Sequence, residues 1–154
     1  MKLKNAVIIS NPAVVRLHGR DFLIAHGRGG IEDVVSIIPN RSHHRPAEAM
    51  LDLLKLRHVA PTFGGEKVPI APDPEDTLVI ESVPDLFQAG HVHVMEYKTY
   101  NGVFLINSGT WQAQTEFQKM VNIVPTPPAR VPIIDVETAK LRAVVRFDRY
   151  CEGV

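Results

Sequence analysis

The chain has 154 residues, of which 45% are hydrophobic and 22% charged, the composition of one globular domain with a core of its own. Seventeen basic residues balance seventeen acidic ones, which argues against a bulk electrostatic binder of nucleic acid but not against a local basic patch. No run of about 18 apolar residues occurs, so no membrane span is expected. The single cysteine, Cys151, excludes an internal disulfide and fits a reducing compartment. These features predict a cytoplasmic protein.

The first part of the chain alternates short apolar runs with turn residues, a pattern that is typical of strands. Strands are predicted at residues 6–10, 13–18 and 21–25, with the last two joined as a hairpin around Gly19. The third strand is followed by His26 and the glycine-rich sequence Gly-Arg-Gly-Gly. Folds of the α/β class bind ligands at such strand ends, whereas an ordinary loop histidine beside a flexible turn is the alternative.

Two helices and a basic surface are predicted next. Apolar residues recur with helical spacing over residues 31–38, and a longer helix over residues 47–59 follows Pro46, which suits a first helical position. Cationic residues in the glycine-rich loop and around the second helix predict a contact for phosphates or a partner. They are Arg28, Arg41, Arg45, Lys55 and Arg57. Solvated charge that complements the helix dipole is the competing interpretation.

The remaining elements are predicted to be strands separated by loops. A proline- and glycine-rich loop covers residues 61–76, and a strand is predicted at residues 78–82. Strands at 94–100 and 103–106 are joined by Asn-Gly, a strong hairpin signal, and strands at 131–136 and 141–147 form a closing pair. A turn of helix is expected within residues 112–121.

The most informative segment is the Gly-His-Val-His sequence at residues 90–93. In an extended segment alternate residues point the same way, so His91 and His93 are predicted to project to one side. Neutral imidazole is the commonest ligand of transition metals, although two ordinary strand histidines would show the same pattern. The polar sequence Asn-Ser-Gly-Thr-Trp at residues 107–111 is expected to return the chain to the same rim.

A strand ending in His-Gly, a distant Gly-His-x-His and a strand ending in Asn-Ser-Gly together resemble the calcineurin-like metallophosphoesterases. The resemblance is closest to one branch, the small subunits of archaeal family-D DNA polymerases, and spans roughly residues 5–135. Further segments that carry it are Ser-Asn-Pro-Ala at 10–13, residues 53–61, Pro-Ile-Ala-Pro at 69–72, Val-Pro-Asp at 83–85 and residues 107–115.

The resemblance implies an α+β or α/β fold, namely part of a two-sheet β-sandwich flanked by helices, with two metal ions at one rim. His26 and His91 would bind the second ion and His93 the first. The implied ions are manganese, with zinc or iron as alternatives. The implied activity is a 3′–5′ exonuclease that hydrolyses phosphodiester bonds during proofreading. The implied partners are the polymerase large subunit and the 3′ end of a DNA primer-template.

The sequence lacks the family's earlier metal motifs, since Asp-x-His, Gly-Asp-x-x-Asp and Gly-Asn-His-Asp or -Glu do not occur in it. Three neutral imidazoles cannot neutralise two divalent cations. Residues 1–154 are therefore interpreted as the C-terminal part of a metallophosphoesterase domain that shares its ions with ligands outside this chain, for instance in a separate N-terminal half. A non-catalytic docking module for the large subunit is the alternative, and an unrelated metal-dependent hydrolase is a third.

Overall fold

A five-stranded mixed sheet, with the strand order β1-β2-β3-β5-β4, lies at the centre of the computed structural model. Its strands are Ala13–Leu17 (β1), Arg20–Ile24 (β2), Leu86–Ala89 (β3), Met95–Tyr100 (β4) and Val103–Ser108 (β5). Strands Arg130–Asp135 (β6) and Lys140–Arg146 (β7) form a separate antiparallel pair. The structure describes residues 4–62, 69–70, 72–120 and 127–147; Cys151 and part of the loop 61–76 lie outside them.

Both hairpins of the central sheet form where the sequence predicts them. Strands β1 and β2 pair antiparallel across His18 and Gly19, and both of these residues have positive φ. Strands β4 and β5 pair across Asn101 and Gly102, whose φ values of 47° and 84° are those that a tight hairpin turn requires. Between these hairpins, β2, β3 and β5 run parallel, so their carboxyl ends share one edge.

The predicted helices are confirmed as Gly30–Ile37 (α1) and Pro46–Leu56 (α2), and a short helix, Glu116–Met120 (α3), occurs within the segment expected to hold a helical turn. Helix α2 begins at the proline, as predicted. It ends earlier than residue 59 because Arg57 takes a left-handed backbone conformation that closes the helix. Among the residues that the structure describes, no helix is long and apolar enough to cross a bilayer.

The two faces of the central sheet bury different partners. On β5, Val103 and Leu105 belong to the larger core cluster, which the sheet forms with α1 and α2. The alternating residues Phe104 and Ile106 belong to a second cluster on the opposite face, which includes residues of the β6–β7 hairpin. The result is a helix layer, a mixed sheet and a second small sheet, in agreement with the predicted mixed α and β class.

Two predicted strands are wrong. Residues 6–10 are exposed and form no strand. Residues 78–82 form only an isolated bridge between Val79 and His58, because the backbone there bonds to the residues that follow α2: Val59 N–H donates to Leu78 O at 3.0 Å. The strand that joins the sheet is instead β3, whose four residues carry no alternating pattern because both faces of the strand are covered.

Asp85 ties the start of β3 to β2, and it predicts an acid sensitivity. Its carboxylate accepts hydrogen bonds from the Asp21 backbone N–H (2.9 Å) and from Arg20 Nη1 (2.8 Å). The hydrogen bond from the Asp21 backbone is the largest cause that lowers the pKa of Asp85. The hydrogen bond from Arg20 lowers this pKa further. Its contribution to stability is present above the unfolded pKa of about 3.9 and is lost as pH falls towards the lower folded pKa.

We therefore expect Asp85→Asn to lower the free energy of unfolding by about 1 kcal/mol at pH 7. We also expect it to make that free energy fall less steeply than the wild type's below about pH 5. Urea denaturation at pH 7, 5 and 3 measures both effects, and Asp73→Asn, at an exposed carboxylate, is the matched control. A pH dependence for Asp85→Asn equal to that of the wild type would contradict this role.

Candidate functional site

Two of the predicted metal ligands meet at the carboxyl edge of the parallel strands. His26 follows β2 and His91 follows β3, and the two strands are neighbours in the sheet. Their imidazole rings lie with centroids 5.0 Å apart and planes inclined by 47°. The structure thus brings together two histidines that are 65 positions apart in sequence.

Backbone contacts hold the two histidine loops against each other. Gly90 N–H donates to His26 O at 3.1 Å, and His26 N–H donates to Asn11 Oδ1 at 2.8 Å. Gly27 has a φ of +98°, and a Cβ atom there would lie 2.9 Å from Gly90 O. Glycine is therefore required at position 27 both by its backbone conformation and by the close approach of the second loop.

His91 does not continue an extended strand, so the predicted alternation with His93 is wrong. Its φ is 64°, and residues 91–93 form a bend. Its Nε2 lies 2.9 Å from Glu32 Oε1 on α1. A carboxylate on one ring nitrogen orients an imidazole and leaves the lone pair on the other nitrogen, which is the arrangement found behind metal-binding histidines. Sequence analysis missed Glu32, because no motif marks it.

His93 points towards α3. Its Nδ1 lies 2.9 Å from Gln118 Nε2, and Gln118 is itself fixed by reciprocal hydrogen bonds with Thr115 at the start of α3. Within the described ranges, no three His, Cys, Asp or Glu side chains stand close enough to hold an ion. His26 and His91 therefore form a pair, and His93 lies two residues further along the chain. Among the described residues these three histidines do not form a complete ligand set.

Asn107 anchors the bend that carries His91 and His93. It is fully buried, and its Nδ2 donates to Val92 O at 2.6 Å and to Val94 O at 2.7 Å, the carbonyls on either side of His93. The Asn-Ser-Gly-Thr-Trp sequence thus returns the chain to the histidine loop, as expected. This amide therefore fixes the backbone on both sides of His93.

We expect Asn107→Asp to lower the free energy of unfolding by about 3 kcal/mol at pH 7, since a buried carboxylate oxygen would face two carbonyl oxygens. Urea denaturation measures the change. Ser108→Ala is the matched control, because the Ser108 hydroxyl makes only a long contact of 3.4 Å with Ala89 O. If the two variants were equally stable, Asn107 would not be the anchor of the bend.

The five cations proposed for a basic surface do not form one patch of unpaired charge. Four of them have intramolecular partners: Arg41 pairs with Asp52, Arg45 with Glu48, Arg57 with the carbonyls of Ile80 and Glu81, and Lys55 lies over the Tyr100 ring. Arg28 is exposed beside the histidines, and its backbone N–H lies 3.3 Å from His26 Nδ1. Contact of these residues with DNA or a partner stays a prediction.

Comparison with known proteins gives a consistent set of relatives, although no family model matches the chain. The chain is 71% identical over 150 residues to the DNA polymerase II small subunit of Pyrococcus abyssi, covering 97% of this chain and 24% of that protein. It is 51% identical over 124 residues to the one from Archaeoglobus fulgidus, covering 80% and 25%. It is 44% identical over 132 residues to the one from Methanocaldococcus jannaschii, covering 86% of this chain and 22% of that protein.

The alignments cover most of this chain and only a part of each relative. The chain spans about a quarter of the length of the curated relatives it matches. Identity nevertheless stays at 44% or more in archaea as different as Pyrococcus, Archaeoglobus and Methanocaldococcus. Over nearly all of its length, this chain is homologous to a segment of the archaeal DNA polymerase II small subunits.

Proposed function

We propose that this chain is part of a DNA polymerase small subunit that acts as a metal-dependent 3′–5′ exonuclease and removes misincorporated nucleotides in archaeal DNA replication. The observation that carries the proposal is the His26–His91 pair at the carboxyl edge of the sheet, with the Glu32 carboxylate on His91. Homology to polymerase small subunits supports the polymerase context. Resemblance to calcineurin-like metallophosphoesterases supports the hydrolytic activity.

The donors of this chain fit part of a metal site. His26, His91 and His93 would contribute nitrogen ligands to a pair of divalent ions, manganese with zinc or iron as alternatives. The described residues provide no complete set of ligands, so further donors would come from outside this chain. Such ions supply activated water and charge neutralisation for phosphodiester cleavage.

The residues of this chain would serve the reaction by holding these imidazoles in place. Glu32 orients His91 through Nε2, and Gln118 orients His93 through Nδ1. Gly27 allows the two histidine loops to approach each other, and Asn107 anchors the bend. The proposed partners are the polymerase large subunit, the 3′ end of a primer-template, and the part of the small subunit that supplies the remaining ligands, whether in the same chain or in a separate N-terminal half.

A non-catalytic docking module is the second candidate, and an exposed apolar segment favours it. Val7 is 88% exposed and Ile8 is 99% exposed, in a stretch that forms no strand. Apolar side chains exposed to this degree next to each other are typical of surfaces that another chain covers. A docking role and a nuclease role are compatible in one subunit, so the decisive question is whether this segment supports hydrolysis.

A chimera tests the proposal. This chain replaces the aligned segment of the Pyrococcus abyssi small subunit, which is 71% identical to it, and the chimera is assembled with that organism's large subunit. We expect manganese-dependent removal of a mismatched 3′ nucleotide from a primer-template, together with primer extension. An assembled complex that extends primers but does not degrade them would contradict the nuclease role and favour the docking module.

A further inference from the structure

A cavity of about 330 Å³ lies between the central sheet and the β6–β7 hairpin, on the face opposite to the helices. Apolar side chains, among them Leu86 and Ile106, line one part of the cavity. Polar side chains line the part near the carboxyl ends of the strands, namely Gln88, Ser108 and Arg130. The alternation of the strands explains this change. Leu86 and Gln88 on β3 share one face, as do Ile106 and Ser108 on β5, so the polar member of each pair lies at the carboxyl end.

The polar end of the cavity adjoins the histidine loops. A Cβ atom placed on Gly90, the residue before His91, would lie 3.8 Å from Ser108 Oγ. His91 contacts Glu32 of the helix layer, on the face of the sheet opposite to the cavity, and both lie at the same carboxyl edge. A ligand that extends along this edge can reach both.

Arg130, which is half-buried, places a donor without a partner in the wall of the cavity. Its Nε is buried and has no hydrogen-bond partner among the described residues, and its guanidinium forms no ion pair with them. A buried N–H donor without an acceptor costs free energy and normally has a partner in a folded protein. The planar fork of arginine matches the oxygens of phosphate, so the missing partner is best supplied by an anion of that shape.

Trp111 adds a flat aromatic surface at the same cavity. It is 69% exposed, and its ring centroid lies 5.6 Å from that of Phe147. An indole that is held by a second aromatic ring and remains open to solvent is a platform on which a nucleobase can stack, at little cost in conformational entropy. A cation for phosphate and an aromatic platform for a base, at one cavity, are the two recognition elements of a nucleotide site.

We propose that this cavity binds one nucleotide of single-stranded DNA, with its phosphate on the Arg130 guanidinium and its base against Trp111. The inference rests on the proposed function, and it adds a place where the frayed strand is held while its end lies at the histidines. Recognition through the phosphate and the face of a base is independent of sequence, as an exonuclease that accepts any mismatch requires.

Fluorescence tests the site directly, since Trp111 is the only tryptophan of the chain. The purified chain is titrated in metal-free buffer with deoxyadenosine 5′-monophosphate, with deoxyadenosine and with inorganic phosphate. We expect saturable quenching by the monophosphate and binding of deoxyadenosine about tenfold weaker, because it lacks the charge-assisted bonds to Arg130. Inorganic phosphate should compete with the monophosphate without quenching.

Variants distinguish a specific contact of Arg130 with the phosphate from a general attraction between the protein's positive charges and the nucleotide. Arg130→Gln should weaken binding of the monophosphate about tenfold, whereas Arg142→Gln should leave it unchanged. Arg142 is the matched control because it lies on the same hairpin, and it is exposed and paired with Asp135. Arg130→Lys keeps the charge and loses the fork, so it should bind with intermediate affinity, and it replaces Arg130→Gln if thermal melts show that the latter is unfolded.

The result that would overturn the inference is unsaturable quenching, or equal affinity in the wild type and both Arg130 variants. Binding by this chain that disappears in the chimera would also overturn it, because the cavity would then be occupied by another part of the subunit. The titration uses no metal and requires no hydrolysis. Its outcome is therefore separable from that of the nuclease assay, which tests the proposed function alone.

Discussion

Replacing His91 or His93 by alanine in the chimeric polymerase complex is expected to reduce exonuclease activity by at least about a hundredfold while primer extension continues. Each imidazole would fix an ion, and loss of an ion removes either the activated water or the neutralisation of the leaving oxygen. We expect polymerisation to persist, because we propose that the large subunit carries that activity. Both activities are measured on the same preparation, after gel filtration has shown that the complex assembles.

Two further variants sharpen this comparison. Glu32→Gln removes the carboxylate next to His91 Nε2 and should reduce nuclease activity by about tenfold to a hundredfold, as changes behind a metal ligand do. His44→Ala removes an exposed histidine and should have no effect. Undiminished nuclease activity in both the His91 and the His93 variants would contradict their role as ligands. Parallel loss of assembly and of both activities would assign them a structural role.

Gly30→Ala is expected to lower the free energy of unfolding by about 3 kcal/mol. A Cβ atom on Gly30 would lie 2.0 Å from Val59 O and 3.2 Å from Leu53 Cδ1, so the first turn of α1 could not remain in contact with the end of α2. Alanine has a higher helix propensity than glycine by at most about 1 kcal/mol, which is too small to offset a backbone collision. Urea denaturation measures the difference.

Gly90→Ala is the matched control for this change. A Cβ atom there would meet its nearest neighbour, His26 O, at 3.6 Å, which is ordinary van der Waals contact. The expected change in the free energy of unfolding is within about 0.5 kcal/mol. If Gly30→Ala were as stable as Gly90→Ala, the close packing of α1 on the residues after α2 would be wrong.

The parts of the fold that could be predicted are those whose signal is local. Asn101 and Gly102 form the hairpin turn because each tolerates positive φ. Pro46 begins α2 because the N–H of the first helical residue has no partner within the helix, so that its absence costs nothing. Strand β3 could not be found in the same way. Its four residues are covered on both faces by other elements, so alternation, the usual signal of a strand, is absent.

The same distinction applies to the candidate site. His26 follows a strand end that can be recognised in the sequence, whereas His91 follows β3, which cannot be recognised, so only the family resemblance relates the two histidines. The partners Glu32 and Gln118 could not be predicted, because each lies on a helix that only the tertiary fold brings to the histidine loops. The role of Gly27 and Gly30 could not be predicted either, because both are required by close approach to backbone that is distant in sequence.

The metal content of the chimeric complex tests the central claim most directly. The complex is loaded with manganese, passed through a desalting column and analysed for bound metal, alongside a variant in which His26, His91 and His93 are all alanine. If these histidines complete a two-ion site, the parent complex should retain about two manganese ions and the variant should lose them. Equal manganese content in the two assembled complexes would contradict the assignment of this edge of the sheet as a metal site.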